Sequence, residues 1–287
     1  MIYFKKDIIA LSNYVENINY LDIGSRGGVD GWFKIIKKKL NIVNFDQNEN
    51  LLLYNKKGDK KFFLTKNIFQ SSLFKPNSSQ KIYENNETRL NYKVLDVKVD
   101  TLDNQLKNFD KKIDLIKIDT QGSEYQILEG GIETIKRDMP FLFLETWSQP
   151  YYEGITLFDE IITYLRKLGY ELYLLDIGAA ARLNLKNFFR KNIGKEKMTG
   201  FNLFLAPNLK YLINENNVES KIKKSFLFFI HDLLSFSYKI VENENNDYKF
   251  YLEKIIKKRI KYKFYYDLIK FLNIITRYRF FENHRLT

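Results

Sequence analysis

The connection between the apolar runs YELYLLD at residues 170–176 and FNLFLAP at 201–207 carries no helix pattern, only a stretch rich in Lys, Asn and Gly. Parallel neighbours are ordinarily joined through a crossover helix, so two strands lacking one are expected to pair antiparallel. Upstream the pattern is different. Short apolar runs at 20–23 (YLDI), 41–45 (NIVNF), 61–65 (KFFLT), 113–119 (IDLIKID) and 141–147 (FLFLETW) alternate with helix-like segments. That alternation predicts a parallel sheet with helices on both faces. QILEGGIETIKRD reads as the crossover helix between the last two runs. In the next helix Leu157, Ile161, Ile162 and Leu165 recur at spacings of three and four, and Gly169 stands where a helix-ending glycine belongs.

A mostly parallel sheet that closes in an antiparallel strand predicts an α/β, Rossmann-like class I methyltransferase fold with seven strands, rather than a dehydrogenase. The organisation expected is a domain over 1–209 followed by a basic, aromatic-rich helical extension over 210–287. The extension is predicted from helix-like clusters such as SFLFFIHDLLSFSY and YLEKIIKKRIKYKFYYDLIKFLNII, split by ENENND at 242–247. It holds 16 Lys or Arg against 9 Asp or Glu, more than half of the chain's net +12. An AT-rich coding sequence, favouring Lys, Asn, Ile, Phe and Tyr, competes with a functional basic surface as the source of that charge. With no cysteine, disulfides, thiolate nucleophiles and cysteine metal sites are excluded. The first residues lack the apolar core of a signal peptide, and no long uncharged apolar run follows. The expected location is cytoplasmic, with peripheral contact at the inner face of the membrane as a variant.

The stretch YLDIGSRGGVDGW at 20–32 places a glycine-rich turn after a strand. The order Gly24-Ser25-Arg26-Gly27-Gly28 lacks the GxGxxG spacing of a dinucleotide site, and Asp22 precedes it. A carboxylate there repels a pyrophosphate and attracts an ammonium group, so Asp22, Gly24, Ser25, Gly27 and Gly28 favour S-adenosylmethionine over NAD, with its methionine end against main-chain amides. Asp46, ending NIVNF, is placed to accept the ribose hydroxyls; the competing reading is a helix cap.

The segment IDLIKIDTQGSEYQILEGG at 113–131, with Thr101-Leu102-Asp103, Gln121-Gly122, Glu124, Leu128-Glu129-Gly130, Ser71-Ser72-Leu73-Phe74, Pro76-Asn77 and Glu145, resembles the FkbM family of methyltransferases. The likeness spans roughly residues 18–207. Many relatives carry Glu-Pro after the second strand where this chain has Asp46-Gln47. The resemblance implies S-adenosylmethionine-dependent O-methylation, often of sugar hydroxyls on surface glycans or of hydroxyls on natural products.

Read physically, Asp119 ends a central strand at the ligand-binding edge of the sheet, Gly122 permits a tight turn, and Ser123 with Gln126 is expected to form a capping box. An alcohol that accepts a methyl group must lose its proton. The histidines His231 and His284 lie in the tail, so the expected catalytic groups are Asp119, Glu124 and Glu145. The same carboxylates holding a divalent cation is the alternative, not favoured because carboxylates at strand ends occur without one. Candidate acceptor contacts are Gln121, Trp147, Tyr151 and Tyr152, with Ser71 and Ser72. Ordinary packing competes for the aromatics. A nucleic-acid substrate, an RNA in the lesser alternative, is not favoured: Asp119-Thr-Gln-Gly is no Asn/Asp-Pro-Pro-aromatic motif, and the cysteine for cytosine-carbon methylation is missing. The non-enzymatic alternative is an inactive scaffold or glycan-assembly partner. Its tail would meet a membrane or form a homodimer.

Overall fold

The structure is a computed structural model and describes residues 2–24, 29, 31–45, 51–83, 87–181 and 197–283. In chain order its elements are α1 (Ile2–Ser12), β1 (Ile18–Ile23), β2 (Leu40–Phe45), β3 (Leu51–Leu53), β4 (Gly58–Thr65), α2 (Glu87–Leu90), β5 (Tyr92–Asp100), α3 (Leu102–Gln105), β6 (Leu115–Ile118), α4 (Glu124–Gly130), α5 (Ile132–Asp138), β7 (Phe141–Trp147), α6 (Phe158–Lys167), β8 (Tyr170–Ala181), β9 (Lys197–Pro207), α7 (Leu209–Ile213), α8 (Val218–Ile230), α9 (Leu234–Val241) and α10 (Asp247–Asn283). Short 3-10 turns lie at Gly31–Lys39, Ile68–Gln70 and Ser78–Ile82. Contacts group these into two compact units, Asn17–Asn214 and Met1–Glu16 with Glu215–Thr287. The sequence groups 1–16 with the sheet domain; in the structure α1 packs with α8 and α10, and its Ile8 and Leu11 are fully buried.

The first unit holds a sheet of order β2-β1-β6-β7-β9-β8. β2, β1, β6 and β7 run parallel, and β9 is antiparallel to both β7 and β8. The expected antiparallel closure is present, but the sheet has six strands among the described residues where seven were expected. KFFLT is the reason. It forms β4 and pairs with β5 in a separate three-stranded sheet of order β3-β5-β4.

The two faces of the large sheet differ sharply. Leu21 and Ile23 of β1, Ile116 and Ile118 of β6, Leu142 and Leu144 of β7, and Leu203 and Leu205 of β9 form one buried cluster with Leu102, Ile127, Leu128, Ile135, Ile161 and Leu165 from the helices. Alternate residues point the other way. On that second face the register aligns Asn44, Asp22 and Lys117 across β2, β1 and β6, and Glu145 with Asn202 across β7 and β9. Rings fill the space beneath them, with Tyr20 stacked on Phe33 at 5.7 Å and Phe33 edge-on to Phe143 at 6.1 Å.

The helical unit is held by fully buried Phe226, Leu227, Phe228, Phe229 and Ile230 of α8. Ser225 donates to the Ser237 carbonyl at 2.7 Å and lies 2.9 Å from the Tyr248 hydroxyl, tying α8, α9 and α10 through a satisfied polar contact. The break between α9 and α10 falls at the predicted loop. No helix among the described residues is long and apolar enough to cross a membrane.

Candidate functional site

Strand order reverses at β1, whose neighbours β2 and β6 lie on opposite sides of it. Sheets of this kind bind ligands beyond the carboxyl ends of the strands at such a reversal. There Gly24 adopts φ +87°, and a Cβ on it would stand 2.2 Å from the Asp119 carbonyl oxygen. Only glycine permits that approach. Beside it lies a mostly apolar cavity lined by Ile23, Gly24, Phe45, Leu52, Thr120 and Ser123, among others. Asp22 is buried. Ser25, Gly27, Gly28 and Asp46 lie outside the described residues.

Asp119 immediately follows β6 and shares a sheet face with Lys117, whose Nζ is 3.9 Å from its Oδ2. Lys117 is 3% exposed, a buried cation that its carboxylate neighbours make tolerable. Glu145, half-buried on β7, hydrogen-bonds with Asp119, and its pKa is pushed up to about 8. Burial is the main cause, followed by the charge of Asp119 and the hydrogen bond with it, while Lys117 opposes the rise. Burial and the neighbouring Asp119 charge therefore favour the protonated form of Glu145 near neutral pH.

The turn after Asp119 departs from the predicted cap. Ser123 makes no side-chain cap bond. The Glu124 carboxylate takes over, its Oε1 accepting the Thr120 and Gly122 N–H groups at 3.0 Å each and the Thr120 hydroxyl at 3.1 Å. Its pKa rises to about 7 through burial, which these bonds only partly offset. Glu124 was expected among the catalytic groups; here it braces the turn, because a carboxylate with no exposed surface must satisfy itself locally. Gly122, at φ +119°, would put a Cβ 2.6 Å from Ile155.

Gln121 sits at φ +60°, and its Nε2 donates to Asp119 Oδ1 at 3.1 Å. Ser71 and Ser72, read as acceptor contacts, are buried. The Ser71 hydroxyl accepts the Thr65 N–H at 3.1 Å, and Ser72 donates to the Gln121 carbonyl at 2.7 Å. They hold the loop against the turn. Trp147 is half-buried at the end of β7 on the same face as Glu145, whereas Tyr151 is buried beside it with ring centres 4.9 Å apart. Among the described residues no group of three or more His, Cys, Asp or Glu side chains is arranged to hold a metal ion.

Two members of the site escape sequence reading. Lys117 leaves a signal, one charge inside the apolar run IDLIKID. Arg89 has no local signal at all, since only tertiary structure brings it near. Tyr152, expected at the rim for an acceptor, is instead fully buried. No curated protein and no solved structure matches the chain. The family model for the methyltransferase FkbM domain matches residues 17–172.

Proposed function

The chain belongs to the FkbM methyltransferase family, and we propose that it transfers a methyl group from S-adenosylmethionine to a hydroxyl, most suitably of a sugar in a surface glycan or its precursor. The observation that carries this reading is the family match across the strands and turn that bear Asp119 and Glu145. The cavity beside Gly24 supports the donor assignment by its place, at the carboxyl ends of the strands where such sheets bind ligands. The residues that would hold the donor are Asp22, Gly24, Ser25, Gly27 and Gly28, with Asp46 at the ribose hydroxyls. When bound, S-adenosylmethionine supplies an electrophilic methyl group; the chain supplies alignment and a base.

The base is the Asp119–Glu145 pair. With Glu145 ionised, the pair would take up the acceptor's hydroxyl proton at the Glu145 carboxylate. A base with an apparent pKa near 8 is well matched to neutral conditions. Lys117 keeps the added negative charge tolerable, and Glu124 and Gln121 orient the turn. Trp147 offers a ring face for a sugar, and Asn202, in register with Glu145, offers an amide to its hydroxyls.

Calorimetric titration with S-adenosylhomocysteine tests the donor site. Micromolar binding that Asp46→Ala abolishes is the expected result, and a folded protein that does not bind overturns the reading. A second reading, an inactive scaffold at an anionic lipid surface, is favoured by one observation. Ile260, Tyr262, Phe264, Tyr265 and Leu268 of α10 are exposed among several lysines, a composition that suits a lipid interface. Sedimentation with phosphatidylserine vesicles, lost on Phe264→Ser with Ile260→Ser, would support that role beside donor binding or instead of it.

A further inference from the structure

Methyl transfer as described makes no use of Arg89, yet this cation is 7% exposed and lies beside the site. Its guanidinium stands 4.4 Å from the centre of the Tyr151 ring, 5.4 Å from Tyr152 and 5.5 Å from Trp147. Its Nε donates to the Tyr152 hydroxyl at 3.3 Å. Ring faces and a hydroxyl replace part of the water lost on burial. Tyr152 is fully buried. Its hydroxyl lies 2.7 Å from the Gln70 carbonyl oxygen and 3.3 Å from Gln121 Oε1, so its one proton is shared and sits nearer Gln70.

Gln121 is thereby held from several sides. Its backbone occupies the left-handed region, a conformation that non-glycine residues adopt at a cost. Ser72 donates to its carbonyl at 2.7 Å, and the Tyr152 hydroxyl meets its side-chain oxygen. With the oxygen end fixed, the amide nitrogen points at Asp119 Oδ1, 3.1 Å away.

The geometry points to Arg89 and Tyr152 as positioning residues, which act through the Gln121 amide to hold the Asp119 carboxylate against Glu145. They touch neither donor nor acceptor. They set the direction of the base, and a small misplacement of a reacting group is enough to slow a reaction severely. The inference rests on the Asp119–Glu145 pair being the base of the proposed reaction, but the contact itself is testable without a substrate.

The decisive variant is Tyr152→Phe, which keeps the ring, the aromatic cage and the Arg89 charge and removes only the hydroxyl. The readout is the side-chain carboxyl carbon signal of Glu145, followed by NMR through a pH titration of the full chain. Burial and the charged groups Asp119, Lys117 and Glu124 act on Glu145, and Tyr152→Phe removes none of those groups. The expected result is a fall of the Glu145 midpoint from about 8, as Asp119 is released and moves away. Arg89→Lys, which keeps the charge but loses the planar fork, lowers it in the same direction. Adding Arg89→Lys to Tyr152→Phe lowers it no further, because both act through one hydroxyl. Gln121→Ala, which removes the link itself, gives the same fall and keeps the inference testable if Tyr152→Phe does not fold. A folded Tyr152→Phe or Gln121→Ala protein whose Glu145 midpoint is unchanged or higher overturns the proposal and leaves Arg89 a packing residue. Titration with S-adenosylhomocysteine separates the two readings. Failure of the wild-type protein to bind it removes the methyltransferase assignment, while the carboxyl titration still decides the positioning.

Discussion

Leu144 and Glu145 are adjacent in β7 and live in different solvents. Leu144 points into a cluster made entirely of aliphatic and aromatic side chains. Glu145 points to the face where Asp22, Lys117 and Asn202 also lie. One face of the sheet is a packing surface, stabilised by roughly 1.5–3 kcal/mol for each large apolar side chain removed from water. The other carries charges whose burial costs stability, and burial raises the pKa of Glu145 among them. The alternation of a strand places both within one residue of each other, so the fold's stability and its chemistry share the same strands.

The sharpest way to break this contrast is to remove Lys117, the buried cation of the polar face. Lys117→Met leaves Asp119 and Glu145 without their compensating charge, and a loss of about 4 kcal/mol is expected. Urea unfolding should show a larger loss at pH 9 than at pH 6, since Glu145 carries a proton at the lower pH. On the apolar face, Leu144→Ala should cost about 3 kcal/mol, and the cost should be the same at both pH values. Equal pH dependence in the two variants would erase the distinction between the faces.

Glu124 sharpens the comparison at the boundary between them. Glu124→Ala leaves the Thr120 and Gly122 N–H groups unsatisfied and should cost about 2 kcal/mol. Glu124→Gln retains an acceptor oxygen and should cost well under half of that, with activity largely kept. Loss of all methyl transfer in a stable Glu124→Gln protein would return Glu124 to the catalytic groups.

The smallest expected effect concerns Glu145 and has the opposite sign. Its folded-state pKa is raised to about 8 from 4.5, so the folded chain binds a proton that the unfolded chain has released across that interval. Stability from this group is therefore complete below about 4.5 and is lost as the pH rises through about 8. Glu145→Gln should be neutral at pH 4 and stabilising by about 1 kcal/mol at pH 9, a figure discounted for partial exposure. Methyl transfer runs the other way. It should rise with pH through about 8 as Glu145 ionises, and Glu145→Gln should remove that limb of the profile.

Part of this architecture is readable from local pattern. Leu157, Ile161, Ile162 and Leu165 mark α6, and Gly169 at φ +86° ends it as its position suggests. The antiparallel pairing of β8 with β9 is legible from the missing helix pattern, although the connecting residues 182–196 lie outside the described residues. KFFLT was not. Its run of apolar residues is indistinguishable from a main-sheet strand, and its place is decided by β5, a partner some thirty residues away. Ser71 and Ser72 show the same limit. Two hydroxyls in a loop read as ligand contacts until the fold turns them onto the backbone of residues 65 and 121.

What the sequence by itself determined is the alternation of strands and helices along the main sheet, the glycine at the close approach, and the placement of Asp119 at a strand end and Glu145 in the strand that follows. Periodicity and glycine's missing Cβ act over a few residues, so these are local facts. What only the tertiary structure decided is which carboxylate does what. Glu124 braces a turn because it is fully enclosed, and the pKa of Glu145 is raised because the fold buries it and brings Asp119 beside it. Arg89 belongs to the site because α2 carries it against Trp147, Tyr151 and Tyr152. Burial and charge proximity set the chemistry of an ionisable group, and both arise from residues far apart in the chain.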